Sequence, residues 1–408
     1  MEETTTLESL EQESDKPPST RPQPARPWRV AVIANLKGET TLPHDGPADA
    51  GAEYDRKETI QAIQEAIESD GHTTIFLNAD NHLIDRLREI YPDICFNLSE
   101  GSYGDAREAQ VPALLELLHI PYTASRVLAN AIALDKAMTK RVWRDFGLPT
   151  AEFQEFATGH EPISPHLHFP LFVKPAREGT GMGTDLGSIV HNRSELRRRV
   201  EWTIRTYQQP ALVEEYLSGR EFTVGVLGRP GAREYSPRPW LYARDGYHRL
   251  PVLEVDSSHS VTPGVYGHDA KSINYGEAGI PDFICPARIP ASLARSLQDL
   301  AIKAHEAIGA VDVSRVDIRL DAEGNPRLLE INTLPGLTPG FSDLVVIAQA
   351  DGISYRELIL EILYLGASRF GLLEKPVEVA ARSLPMPAYR RLRPTNRYPV
   401  GYGKSIGV

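Results

Sequence analysis

Val313-Ser314-Arg315-Val316-Asp317-Ile318-Arg319-Leu320, followed by Leu328-Leu329-Glu330-Ile331-Asn332, is the stretch on which the reading of this chain turns. Both runs alternate apolar and polar residues with period two, the pattern of strands with one buried face. Val316, Ile318 and Leu320 share one face, with Arg315, Asp317 and Arg319 on the other. On the second strand Leu329 and Ile331 oppose Glu330 and Asn332. Ala322-Glu323-Gly324-Asn325 can serve as a four-residue hairpin loop. That register sets Asp317 opposite Glu330, about 5 Å apart at Cβ. Two carboxylates side by side repel unless a proton or a cation lies between them. Asn332 adds a neutral oxygen on the same face, and so small an all-oxygen set suits Mg²⁺ completed by phosphate oxygens and water. A solvated hairpin face carries the same residue types, so the pattern takes its meaning from what precedes it.

Upstream lies Phe172-Val173-Lys174-Pro175-Ala176-Arg177-Glu178-Gly179-Thr180-Gly181-Met182-Gly183, a strand whose lysine opens a glycine-rich loop. Such a loop lets backbone N–H groups approach phosphate oxygens without interference from Cβ, and Lys174 adds a positive charge beside them. Between the two regions stands Leu212-Val213-Glu214-Glu215-Tyr216-Leu217-Ser218-Gly219-Arg220-Glu221-Phe222. A carboxylate at the end of this strand can accept from a ribose hydroxyl or an adenine amine, although a surface strand has the same look.

The order of the pieces decides between these readings. A lysine, a second lysine with its glycine-rich loop, Val-Glu-Glu, Arg-Val-Asp and Glu-Ile-Asn together resemble the ATP-grasp superfamily, and more closely the D-alanine–D-alanine ligases. The resemblance covers roughly residues 92–365. It includes Ile120-Pro121-Tyr122-Thr123 and Asp135-Lys136, and is strongest from Leu329 to Thr338. It implies an α/β (α+β) ATP-grasp fold with an N-terminal Rossmann-like parallel-sheet domain, a central lid domain and a C-terminal catalytic domain. The expected boundaries are 28–122, 123–218 and 219–370.

The resemblance also implies roles. Lys136, Lys174 and the Thr180 loop would contact ATP phosphates, while Glu214, Tyr216, Leu217 and Glu221 would surround adenine and ribose. Asp317, Glu330 and Asn332 would hold two Mg²⁺ (or Mn²⁺) ions. Lys271 would come from a loop closing over the γ-phosphate, and Arg315 with the Gly336 N–H would stabilise charge at the reacting carboxylate. The implied reaction joins a small-molecule carboxylate to an amine through an acyl phosphate, releasing ADP and phosphate; a homodimer is the implied assembly. Several positions depart from the D-alanine ligase pattern. Glu100-Gly101 stands for His-Gly, Ser272 for a tyrosine, Thr180-Gly181 for paired serines, and the usual late serine falls at Phe341-Ser342. The first-domain residue for a substrate amine is Glu53 or Asp55. Another amino or hydroxy acid as substrate, or an ATP-binding regulatory protein without catalysis, are the alternatives.

Composition agrees with a multi-domain globular protein. The 408 residues are 41% hydrophobic and 24% charged, with net charge −11, which argues against nucleic acid as the main partner. Two distant cysteines, Cys95 and Cys285, point to a reducing compartment and to small buried side chains. No apolar run is long enough for a membrane span, and the acidic start lacks signal-peptide features, so a cytoplasmic protein is expected. Residues 1–27 read as a disordered leader and 371–408 as a basic extension. The Gly403-Lys404-Ser405 near the end is no P-loop, because no helix can open after it.

Overall fold

The computed structural model describes residues 24, 26–40, 42, 46–236, 238–268 and 279–373. Lys271, Ser272, the basic extension and nearly all of the expected leader lie outside the described residues. Everything below concerns the unit Met1–Lys375.

The chain opens with β1 (Arg29–Ala34), whose Val30 to Ala34 are all buried. A strand buried on both faces reads as a continuous apolar run, as this one does. β2 (Thr73–Asn78) and β3 (Ile94–Asn97) flank it in parallel, in the order β2-β1-β3. The helix Lys57–Glu68 crosses between β1 and β2 and turns Ile60, Ile63 and Ile67 inward, as their spacing predicts. The expected parallel N-terminal sheet is therefore present.

The next sheet is antiparallel. β4 (Phe153–Phe156), β5 (Leu171–Pro175), β6 (Ile189–Val190) and β7 (Ala211–Glu215) lie in the order β4-β7-β5-β6. Leu196 and Val200 of the helix Arg193–Tyr207 pack on its inner face with Phe156, Leu171, Val173 and Val213.

The largest sheet holds β8 (Glu221–Gly228), β9 (Tyr247–Asp256), β10 (Asp282–Ile284), β11 (Val313–Leu320) and β12 (Pro326–Asn332), in the order β10-β9-β8-β11-β12. Segment 228–289, whose many Gly and Pro residues and weak period point to functional loops, also contains the ten-residue β9. Pro251 disguises it, because proline interrupts a ladder. The pairing absorbs the missing N–H with a register shift, so that Leu250 and Pro251 stand opposite the single residue Gly225. A Cβ on Gly225 would lie 2.7 Å from both Leu250 and Leu344 side chains, so glycine is required there by packing.

The hairpin that opened the reading needs two corrections that cancel. The loop is one residue longer than expected, since Leu320 pairs with Pro326, leaving 321–325 to turn. A bulge then falls at Leu329, between the Ile318–Leu328 and Asp317–Glu330 pairs. The extra residue restores the expected Asp317–Glu330 pairing but breaks the alternation. Leu328 and Ile331 are the core residues of β12, whereas Leu329 faces the same pocket as Glu330.

Two further helices pack on these sheets. Ala291–Ala307 covers one face of the large sheet with Leu297, Leu300 and Ala304. Tyr355–Arg369, opened by a Ser354/Glu357 capping box, returns to the first sheet. Its Ile359 and Leu363 join Val30, Val32, Ile63 and Ile67 in one core. Its last residue, Arg369, pairs at 2.8 Å with fully buried Asp312 and donates to the Tyr122 and Ala124 carbonyls. Cys95 is buried and Cys285 only partly so; both are free thiols. Among the described residues no helix is long and apolar enough to cross a membrane.

Candidate active site

Two of the ordered sequence features, Lys174 and Glu214, meet at a buried charge cluster. Glu214, near the end of β7 and 3% exposed, receives Lys174 Nζ from the neighbouring β5 at 2.7 Å. It also receives Lys140 Nζ at 2.9 Å, from the helix Lys136–Asp145. Lys140 is fully buried and also donates to Thr150 Oγ1 and the Leu328 carbonyl. Burial alone would raise the Glu214 carboxyl, but the two lysines outweigh it and hold it below its usual range. Burial pulls the Lys140 ammonium down despite Glu214, whereas Lys174 is held up against burial by Glu214 and Glu330. The expected partner of adenine or ribose is thus tied to two lysines. Lys140 was missed by the sequence reading. The available signal was its i+4 spacing from Lys136, which places both on one helix face.

Lys136 begins that helix, whose Asp135 cap accepts from the Met138 N–H at 2.9 Å. Its ammonium donates to the Glu178 carbonyl and lies 3.7 Å from Glu330 Oε2. On the other side of the acidic pair, Arg315 NH1 stands 2.6 Å from Asp317 Oδ1 and 3.3 Å from Asp343 Oδ2. Thr223 Oγ1 also donates to Asp317, at 2.6 Å. Among the described residues, Arg315 beside Asp317 and Lys136 beside Glu330 offset the repulsion expected between the two carboxylates. Asn332 Oδ1 accepts from the Leu334 N–H at 2.9 Å, which fixes the amide and leaves a lone pair. Asp343, at the head of the helix Asp343–Ala350, was not foreseen.

These residues line two adjoining pockets. Lys136, Lys174, Glu214, Tyr216, Leu217, Glu221, Asp317 and Glu330 line the first, with Phe172, Met182, Val265 and Leu329 as apolar walls. Phe172 and Tyr216 stack at 6.4 Å, and Arg319 lies over the Tyr216 ring while pairing with Glu221 at 3.2 Å. Lys136, Thr180, Arg315, Glu330, Asn332, Gly336 and Asp343 line the second, together with Glu108, Phe341 and Ser342. Lys136, Glu178, Tyr266 and Glu330 belong to both. Every described residue expected to hold ATP, metal or the reacting carboxylate is in one pocket or the other, whereas Glu53 and Asp55, the expected amine-binding candidates, are in neither.

The glycine-rich loop closes over them. Thr180, Gly181 and Gly183 all have positive φ, and Gly181 O accepts from the His268 N–H at 3.1 Å. A Cβ on Gly181 would meet the Gly267–His268 backbone at 2.8 Å, and one on Gly267 would meet the Thr184 carbonyl at 2.2 Å. Gly181→Ala is expected to push these loops apart and to strain φ. The measurable result is faster proteolysis of the loop and a several-fold higher KM for ATP; an unchanged KM would show that the contact is dispensable.

At the first-domain end of the site, Arg107 meets Glu53 Oε1 at 2.6 Å and Glu178 Oε2 at 3.1 Å, and donates to the Arg177 carbonyl at 2.7 Å. Asp55 is pushed up to about 7 by burial. Glu100 is raised by burial and then by Glu108 and Glu53.

Comparison with known proteins places the chain among relatives. The family model for the D-ala D-ala ligase C-terminus matches residues 142–364. An uncharacterized protein of Sinorhizobium fredii is 33% identical, over 86% of this chain and 91% of that one. The D-alanine–D-alanine ligase of Pelotomaculum thermopropionicum is 31% identical, over 77% and 92% respectively. A D-alanine–D-alanine ligase from Bacillus anthracis, solved in complex with ATP, is 21% identical. It superposes with a TM-score of 0.60 over 84% of this chain and 98% of its own, which shows a shared fold. A family match over more than half its length, with relatives aligned nearly end to end, places this chain in the D-alanine–D-alanine ligase family.

Proposed function

We propose that this chain phosphorylates the carboxylate of one amino acid with ATP and joins it to the amine of a second, releasing ADP and phosphate. The observation that carries the reading is the shared boundary of the two pockets. One has a lysine-rich floor and apolar walls fit for a nucleotide. The other has Arg315 and Gly336 around a space fit for small acids. They meet at Lys136 and Glu330, beside Asp317, where a γ-phosphate and an acceptor carboxylate would face each other.

In this reading Phe172, Leu217 and Leu329 flank adenine, and Glu221 accepts from the ribose. Lys136 and Lys174 neutralise phosphate oxygens. Phosphoryl transfer needs chiefly such positioning and charge neutralisation. Asp317, Glu330 and Asn332 offer only hard oxygens on one face, which fits Mg²⁺ with phosphate oxygens filling its remaining positions. When bound, the metal supplies charge neutralisation at the transferring phosphoryl group. Arg315 can leave Asp317 for a substrate carboxylate while keeping Asp343, and the Gly336 N–H adds a second donor for a developing oxyanion. An acyl phosphate hydrolyses readily, so the packed loops at Gly181 and Gly267 serve to exclude water. Lys271, outside the described residues, retains the role over the γ-phosphate that the resemblance implies.

A coupled ADP-release assay over paired D- and L-amino acids tests this. Release that depends on both a carboxylate and an amine is expected, with D-alanine in the panel. ATP binding with no stimulation by any pair would overturn the reading.

A further inference from the structure

Glu53, one of the two sequence candidates (with Asp55) for holding a substrate amine, already has one carboxylate oxygen taken. Arg107 donates to its Oε1 through both Nε, at 3.2 Å, and NH2, at 2.6 Å, with both partners under a tenth exposed. An ammonium reaching Glu53 would have to compete with a buried guanidinium, which is costly to displace because it too would lose its partner.

The residue after Arg107 presents the opposite case. Glu108 is 8% exposed and lines the second pocket with Lys136, Arg315, Glu330 and Gly336. Among the described residues no hydrogen bond or ion pair reaches its carboxylate. A buried carboxylate without a partner is expensive, and where one points into a cavity the missing partner is naturally a ligand. The surroundings reinforce this. Burial, with Glu53 and Glu178 adding to it against Arg107 and Lys136, pushes Glu108 up to about 7. Glu100 beside it is raised as well, first by burial and then by Glu108 and Glu53.

We propose that Glu108 holds the ammonium group of an amino-acid substrate, rather than Glu53, whose Oε1 is held by Arg107. The inference rests on the ligase reading above. It specifies the substrate class as an ammonium-bearing acid, since a hydroxy acid of the same skeleton would leave Glu108 buried and unpaired.

The test compares the parent protein with E108Q and E53Q in ADP release, using D- and L-alanine, serine and lysine against D- and L-lactate. The parent is expected to turn over amino acids and not lactate. E108Q is expected to raise the amino-acid KM roughly tenfold or more, as for loss of a charged hydrogen bond, with the ATP KM within about twofold. E53Q is expected to change that KM less than E108Q. Thermal melting separates binding from structure: E108Q removes an unpaired buried charge and should melt no lower than the parent, whereas a structural role would lower it. Unchanged amino-acid KM in E108Q, or a larger effect in E53Q, would overturn the proposal. If no pair supports turnover in the parent, the ligase reading fails separately. Calorimetric titration of the same amino acids into protein with a non-hydrolysable ATP analogue then decides, and binding that is absent or equal in parent and E108Q overturns the proposal.

Discussion

Asp317→Asn is expected to lower ADP release by about 10²–10³-fold while leaving ATP binding within a few-fold of the parent, because it removes a full charge from the place where phosphoryl transfer is neutralised. The substitution is close to isosteric. Thr223 Oγ1, 2.6 Å away, can still donate to the amide oxygen, and Arg315 retains Asp343. The fold should therefore survive, as circular dichroism and melting can check. Lys136, Lys174 and Glu221 remain to hold nucleotide. A near-parental rate would show that Asp317 does not act as the metal carboxylate, and the assignment of Glu330 and Asn332 would fall with it.

Lys140→Met should act on both stability and nucleotide. Lys140 is fully buried, and its loss leaves Glu214, Thr150 and the Leu328 carbonyl each short of a donor. Breaking one partner of a buried pair typically costs 3–5 kcal/mol, and since Lys174 stays on Glu214 a loss of about 3 kcal/mol is expected in urea unfolding. The two lysines and one glutamate carry a net positive charge toward the pocket; without Lys140 that charge is gone. The KM for ATP should rise about tenfold, in the range of one charged hydrogen bond. A fall in stability with unchanged ATP KM would make Lys140 a structural residue only.

As a member of an ATP-dependent ligase family, the chain shows how unevenly a site is written in its sequence. Period-two alternation marked β11 and β12, because a half-buried strand imprints its two faces on neighbouring residues. A lysine ending an apolar strand before glycines marked Lys174 and its loop for the same local reason. Lys140 left a local trace too, four residues after Lys136, but nothing local says that Glu214 lies at the other end of both lysines. The strand β9 was hidden by Pro251, whose missing N–H is accommodated only by the facing Gly225 of β8.

The sequence carries the fold class and the order of the motifs, while the pairing of Asp317 with Glu330 holds only because the bulge at Leu329 offsets a longer loop. Only the tertiary structure shows that Leu329 bulges into the pocket lined by Lys174 and Glu214, that Arg107 holds Glu53 Oε1, and that Glu108 faces the second pocket with no partner among the described residues. The division has a physical cause. Strand and helix periodicity follow from backbone geometry within a few residues, whereas the partner of a buried charge is fixed by the packing of segments far apart in the chain.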